Sequence, residues 1–396
     1  MKILYHHRIR SKDGQNVHVE ELTAALAALG HEIVMVGPPA HARQEFGAGA
    51  GSVALLKAVL PRALYELAEY AYALVAYRRL RAAYLRHRPD VLYERYNLFL
   101  PAGLWLKRRY GLPMLSEVNA PLVEERARYG GLALPGLARR IEARVWRGAD
   151  YVLPVTDVLA DTVRAAGVPE DRIRVVPNGI DPARFAEAPD PEAAKRALGL
   201  EGRLVLGFTG FMRDWHRLER VVDFVAEADP ALNLHFLLVG DGPVRGEIAA
   251  RAARRGVADR VTFAGIVDRD RIAAHVAAFD IALQPDVVAY ASPLKLFEYM
   301  VLGKAILAPD QPNIREVLTD GADALLFDPG AETGFADALA RLCDDADLRA
   351  ALGAGARRTI AEKGLTWETN ARRVEALFDS LLRARRDSRA GAVGPA

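Results

Sequence analysis

Cysteine is nearly absent: the 396 residues contain one, Cys343. A lone thiol excludes an intramolecular disulfide framework and any zinc site built from several thiolates. Long apolar runs are missing too. No uninterrupted stretch approaches the ~20 residues that span a bilayer. The opening Met1-Lys-Ile-Leu-Tyr-His-His-Arg8 passes from a short strand-like run straight into His and Arg, without the apolar segment of a secretory signal. Charge of one sign is not in excess, since 53 Lys and Arg face 51 Asp and Glu for a net +2. That balance, with no recognisable binding module, argues against nucleic acid as a partner. No GxGxxG follows the first strand-like run, so a dinucleotide-dependent dehydrogenase has no fingerprint. The expectation is a soluble, cytoplasmic protein.

Hydrophobic types make up 51% of the chain, enough to fill two cores of ordinary size. Apolar strand-like runs alternate with helix-like stretches throughout. The first half offers Lys2–Tyr5, Glu32–Val36, Val91–Glu94, Met114–Val118, Tyr151–Val155 and Arg174–Pro177. The second offers Leu204–Phe208, Leu234–Val239, Val261–Ala264, Ile281–Gln284, Ala305–Ala308 and Leu325–Phe327. Between them lie amphipathic patterns such as Val17–Leu29, stopped at Gly30. Strands apolar throughout and separated by helices imply parallel sheets covered on both faces. The chain is therefore expected to be α/β, with two Rossmann-like, doubly wound domains over 1–182 and 183–365. The Pro- and Asp-rich Asp181–Pro191 is the joint, and 384–396 is expected to be a disordered tail. Open sheets bind ligands beyond the carboxyl ends of their strands, so the expected site is the cleft between the domains. Residues 1–182 carry 25 basic against 19 acidic side chains, and 183–396 carry 28 against 32. The basic first half suits a phosphate-bearing or anionic partner, though ordinary scatter would give the same count.

Several loops at strand ends carry chemistry. Gly14 and Gln15 sit where the first helix begins, so backbone N–H groups could meet an anion; a plain turn glycine is the simpler reading. Gly207-Phe-Thr-Gly210-Phe-Met-Arg213-Asp-Trp-His216 offers close backbone approach and two potential cations for a leaving diphosphate, with His216 most useful when protonated. In Leu237-Leu-Val-Gly-Asp241-Gly-Pro243 the default role of Asp241 is to cap the following helix. The richest segment is Ser292-Pro293-Leu294-Lys295-Leu-Phe-Glu298-Tyr-Met300. Ser292 and Pro293 look like an N-cap and first helical position, and the helix start with Lys295 makes an anion site. A lysine there opposes the helix dipole, so stability alone does not explain it. Glu298 in an apolar helix needs hydrogen bonds; two sugar hydroxyls would supply them, and so would a nearby arginine.

In series, Pro177-Asn-Gly-Ile-Asp181, Leu238-Val-Gly-Asp-Gly-Pro243, Phe263-Ala-Gly265, Phe279-Asp-Ile-Ala282 and Lys295-Leu-Phe-Glu-Tyr-Met300 with Gly303-Lys304 resemble the retaining glycosyltransferases of family 4, of the GT-B fold. The resemblance covers roughly residues 1–380. It implies an acceptor-binding first domain, with a C-terminal helix over about 366–383 packing back on it, and a second domain that binds a nucleoside-diphosphate sugar. By motif position Glu298 matches the glutamate that holds the donor ribose, and Ser292–Lys295 the diphosphate segment. The Gly265–Val267 loop matches the place where the base is held. His216 stands where the family usually has Lys, and Phe211 where it often has Arg, with Arg213 beside it. Tyr290 replaces a second glutamate eight residues before Glu298, with Asp286 four residues earlier, and Glu117-Val-Asn119 replaces a strand-tip histidine.

The implied reaction retains anomeric configuration without a divalent metal or other cofactor. Arg213 and Lys295 would take the metal's place on the diphosphate, and Asn119 would hydrogen-bond a sugar. Arg95, at another strand tip, is a candidate for acceptor contact together with Asn119. The expected donor is a hexosyl-type nucleotide sugar, and the acceptor a glycan or polyprenyl-diphosphate-linked sugar in cell-surface or exopolysaccharide synthesis. The stretch 53–88 combines Leu, Tyr and then Arg78, Arg79, Arg81, Arg86 and Arg88. It either lies peripherally on the anionic inner face of the cytoplasmic membrane or packs on the first domain. Two other readings share the architecture: a UDP-sugar 2-epimerase, and a nucleotide-sugar-binding protein without activity.

Overall fold

The computed structural model describes residues 1–9, 14–38 and 60–391, with side chains to 388. The chain forms two compact units, one of Met1–Pro177 with the C-terminal helix from Trp367, the other of Asn178–Thr366. The boundary falls at Pro177 rather than at residue 182.

In the first unit, β1 (Lys2–His6), β2 (Glu32–Val36), β3 (Val91–Arg95), β4 (Met114–Val118) and β5 (Tyr151–Pro154) pair in parallel in the order β2-β1-β3-β4-β5. β3 and β4 are buried along their whole length, whereas the edge strand β2 is partly exposed. The expected sixth strand, Arg174–Pro177, does not form. Its Arg174 and Val176 N–H groups donate to the Val152 and Pro154 carbonyls at 3.0 Å each. Pro154 has no N–H to extend a ladder, and pairing ends there as an isolated bridge at Ile173.

The first helix, Gly14–Ala28, begins upstream of the expected Val17 and ends before Gly30, whose φ of +88° only glycine adopts without strain. The helix Arg62–His87 occupies the described part of the 53–88 stretch; residues 53–59 lie outside it. Its inner side buries Glu66, Ala73, Ala76 and Leu80. Glu66 accepts the Ala133 and Leu134 N–H groups at 2.8 and 2.7 Å, so this carboxylate is committed to the first unit. Leu64, Leu67, Leu74, Val75 and Leu85 face outward. The C-terminal helix, Trp367–Gly391, packs on Gly14–Ala28, and Asn370 Nδ2 donates to the Pro177 carbonyl at 2.6 Å. Where a disordered tail was expected from 384, the helix continues to Gly391, because Arg and Ala favour helix even without apolar periodicity.

The second unit carries β6 (Leu204–Thr209), β7 (Leu234–Val239), β8 (Val261–Gly265), β9 (Ile281–Leu283), β10 (Ala305–Pro309) and β11 (Leu325–Phe327). All pair in parallel, in the order β11-β10-β9-β6-β7-β8. Helices bury both faces: Leu206, Phe208 and Phe236 belong to one core cluster, and Val205, Leu237, Phe297 and Met300 to the other. Among the described residues no helix is long and apolar enough to cross a membrane.

Candidate active site

The tips of β6 and β7 pack so closely that only glycine fits. The Gly210 N–H donates to the Val239 carbonyl at 2.9 Å and the Met212 N–H to the Asp241 carbonyl at 2.8 Å. Gly240 has φ +126°, and a β-carbon there would lie 2.1 Å from the Gly210 carbonyl oxygen. Gly210 itself, at φ +123°, faces Lys295, whose Cε and Nζ would be 3.4 Å from any β-carbon added to it. The strand ends thus leave a bare backbone surface with a lysine beside it.

That lysine is in the first turn of the helix Leu294–Val301. Ser292 does not cap this helix as expected. Pro293 precedes it with no side-chain cap, while Ser292 is spent on the Asn178 turn: the Asn178 N–H reaches Ser292 Oγ at 3.4 Å, and Asn178 Nδ2 donates to the Ser292 carbonyl at 2.6 Å. Asn313 Nδ2 likewise donates to the Ala291 carbonyl at 2.7 Å. The approach to the helix is therefore pinned from both sides. Its first N–H groups are left without a side-chain partner, which suits an anion.

Lys295 Nζ is buried and makes no hydrogen bond among the described residues; it lies 3.7 Å from the Phe208 ring centroid. Burial lowers its pKa to about 7, against the pull of Glu298. An unpartnered buried ammonium costs several kcal/mol, roughly, so a ligand anion is the natural missing partner. One turn on, burial raises the Glu298 carboxyl to about 7, and Lys295, Arg269 and a hydrogen bond with Thr209 pull it back. Arg269 therefore supplies part of the charge balance that the alternative reading, a nearby arginine, would give. Thr209 is positioned in turn by its N–H, which donates to Tyr299 Oη at 2.9 Å. Thr209 and Tyr299 escape sequence reasoning because they are ordinary strand-end and helix residues until the fold brings them together.

The other expected donor residues fare differently. His216 is not a cation. Burial, then Lys295 and Arg213, press its pKa down to about 2, and its Nδ1 accepts the Arg213 N–H at 3.2 Å. It is a neutral imidazole whose Nε2–H can donate. Arg213 is exposed and lies over the rings of Phe211 and Trp215, at 4.5 and 5.2 Å. Asp241 does not cap the following helix; its carboxylate accepts the Gly242 N–H at 2.8 Å and holds the glycine turn. Val267 is half-buried and packs against the core cluster that includes Leu296 and Phe297, with Gly265 ahead of it at φ +72°. Among the described residues no three His, Cys, Asp or Glu side chains gather as a metal site would need.

In the first unit Gly14 and Gln15 are exposed at the start of their helix, and the loop before it lies outside the described residues. Arg95 is buried rather than open. Its Nη1 donates to Glu117 Oε1 at 2.5 Å, and Asn119 Nδ2 donates to the same oxygen at 2.5 Å. Glu117 Oε2 meets His18 Nε2 at 2.9 Å and accepts from Tyr93 Oη at 2.6 Å. Burial would raise this carboxyl, but His18 and Arg95 hold it well below the usual range, so it is ionised. The role of Glu117 was not legible in the sequence, because His18 lies 99 residues away.

Residues 12–184 match the description "Glycosyltransferase Family 4", and residues 203–345 match "Glycosyl transferases group 1". Each unit thus matches a glycosyltransferase family model over most of its length. The 2-deoxystreptamine glucosyltransferase of Streptomyces kanamyceticus is 32% identical over 233 residues, which are 57% of this chain and 60% of that protein. The chain thus spans about three fifths of this relative's length. A D-inositol 3-phosphate glycosyltransferase of Streptomyces scabiei is 27% identical over 383 residues, covering 90% of this chain and 84% of the relative. Among solved structures, Anabaena HepE in complex with UDP and glucose shares 18% identity and a TM-score of 0.73, covering 96% of this chain and 100% of that one. Sucrose-phosphate synthase from Thermosynechococcus elongatus shares 20% and 0.77, with 97% and 100% covered. At these identities the likeness shows the glycosyltransferase domains to have the GT-B fold, two Rossmann-like domains with parallel sheets.

Proposed function

We propose that this glycosyltransferase-family chain transfers a hexosyl-type sugar from a nucleoside diphosphate to a hydroxyl of its acceptor, with retention of configuration and without a divalent metal. The observation that carries the reading is Lys295 Nζ, buried without a partner next to uncapped helix N–H groups and the bare Gly210 backbone. A diphosphate supplies the charge all three lack. Glu298 takes the ribose hydroxyls one turn further along, the Gly265–Val267 loop faces the base, and His216 donates as a neutral imidazole. As the sugar leaves, negative charge grows on the diphosphate; Lys295 and the fixed N–H dipoles stabilise it at no cost in reorganisation. The departing phosphate oxygen itself accepts the acceptor's proton. Arg213, free to swing from Phe211 and Trp215, adds charge from the solvent side.

The acceptor is a polyol or glycan. Relatives named for 2-deoxystreptamine and D-inositol 3-phosphate support a hydroxyl-rich acceptor, and a lipid-linked glycan has the same chemistry. The relatives are transferases, which favours transfer over 2-epimerisation or binding alone. The test is thermal stabilisation by a panel of UDP-, GDP- and ADP-sugars, followed by nucleotide release. A ligand at 100 times its Kd stabilises by about 2.7 kcal/mol, so one donor class is expected to raise the melting temperature by several degrees. No shift with any member would refute the reading.

The exposed Leu64, Leu67, Leu74 and Val75, continuing into Arg78, Arg79 and Arg81, suit a peripheral association with an anionic bilayer from the cytoplasmic side. Binding to vesicles rich in anionic lipid is expected to drop when the three arginines become Ser. Unchanged binding, or none in the parent protein, would remove this part of the proposal.

A further inference from the structure

Glu117 is a heavily hydrogen-bonded side chain of the first unit, and nothing in the chemistry above uses it. Four side chains from three elements converge on its two oxygens: His18 from the helix Gly14–Ala28, Tyr93 and Arg95 from β3, and Asn119 just past β4. The carboxylate is 2% exposed, and the contacts run from 2.5 to 2.9 Å. An ionised carboxylate only accepts hydrogen bonds, so each of these groups must turn a donor inward. For Asn119 the consequence is directional. Its Nδ2 is committed to Glu117, and its Oδ1, half-buried at the carboxyl end of the sheet, makes no hydrogen bond among the described residues.

We infer that Glu117 is a positioning residue, which fixes the Asn119 amide with its carbonyl oxygen outward so that the site selects a hydrogen-bond donor, a sugar or polyol hydroxyl, at that point. Arg95 keeps the hub charge-balanced and is not itself a free anion site. The hydroxyl can belong to the acceptor or to the transferred sugar; both donate to a carbonyl in the same way. The inference rests on the proposed transfer reaction and adds to it the residue that sets the polarity of the first unit's contact. Were Glu117 absent, Asn119 could turn either end outward and would discriminate donor from acceptor groups poorly.

The experiment compares Glu117→Gln, Asn119→Leu and the double variant Glu117→Gln with Asn119→Asp. In the double variant the newly introduced amide donates to the newly introduced carboxylate. That pairing restores an outward-facing oxygen and keeps one negative charge beside Arg95. UDP-, GDP- and ADP-glucose serve as donors, with water, 2-deoxystreptamine and D-inositol 3-phosphate as acceptors. For each, kcat, KM and donor Kd are measured along with the melting temperature. Both single variants are expected to lose roughly tenfold in kcat/KM, the cost of one misplaced hydrogen bond of about 1.4 kcal/mol, with donor Kd changed less than about twofold. The double variant is expected to recover most of that loss. A loss confined to acceptor KM assigns the hydroxyl to the acceptor; an equal loss in hydrolysis assigns it to the transferred sugar.

Kinetics unchanged in Glu117→Gln, even with a lowered melting temperature, would show a purely structural hub and overturn the inference. If Glu117→Gln fails to fold, Asn119→Leu decides, since it gives up one bond only; unaltered kinetics there are equally fatal. If the parent protein releases no nucleotide from any donor, the failure belongs to the proposed reaction instead.

Discussion

Lys295→Ala is expected to lower the rate of sugar transfer by roughly 10²–10³-fold, the usual cost of removing one preorganised donor from developing negative charge. Donor affinity should fall much less, because the helix N–H groups and Glu298 remain. Equal losses in kcat and affinity would mean that Lys295 binds ground state and transition state alike. The same residue predicts a stability effect of opposite sign. Its ammonium is buried without a hydrogen bond in the free protein, so Lys295→Met should fill the space over Phe208 and raise the melting temperature while destroying activity. A lysine kept for stability would behave in the reverse way. Circular dichroism melts and steady-state kinetics on the same two preparations settle the matter.

The second large effect concerns Glu298. Its replacement by Ala removes both ribose hydrogen bonds to a charged acceptor, each worth about 1.5–3 kcal/mol, so the donor Kd should rise by roughly 10²-fold or more. The pH dependence has a definite sign. The Glu298 carboxyl is raised to about 7 in the folded protein, so between its ordinary value near 4.5 and 7 the folded chain holds a proton that the unfolded chain has released. Its contribution to stability therefore declines as pH rises through that window. Lys295 is lowered to about 7 from 10.5, so the unfolded chain holds the extra proton between 7 and 10.5, and this group's contribution improves as pH rises there. Ligand binding wants both groups charged. Donor affinity should therefore peak close to pH 7 and fall on both sides, and Glu298→Gln should abolish the acidic limb alone. Affinity flat from pH 5 to 9 would contradict the assignment.

The sheets were readable from the chain because parallel strands covered on both faces carry uninterrupted apolar runs. Eleven of the twelve expected runs became strands. Arg174–Pro177 failed because a run of Val says nothing about its neighbour, and that neighbour ends in Pro154. Lys295 and Glu298 were visible as local anomalies, a lysine against the helix dipole and an acid among Leu, Phe and Met. The roles of Ser292, Asp241 and His216 were misread for one common reason. Each has a plausible local partner in sequence, but the fold offers a different one: the Asn178 turn for Ser292, the Gly242 N–H for Asp241, and a low-polarity pocket beside two cations for His216. Glu117 could not be read at all, since its hub is assembled across three strand and helix elements.

The central claim is that Glu298 clasps the ribose of a nucleoside diphosphate whose phosphates lie on Lys295. The most direct measurement titrates that diphosphate and its 2′-deoxy analogue into the parent protein and into Glu298→Ala by calorimetry at pH 7. The missing hydroxyl is expected to cost the parent roughly tenfold in affinity, about 1.4 kcal/mol, and to cost Glu298→Ala almost nothing. If the two proteins lose the same amount, the hydroxyl and Glu298 do not interact, and the donor is held somewhere else.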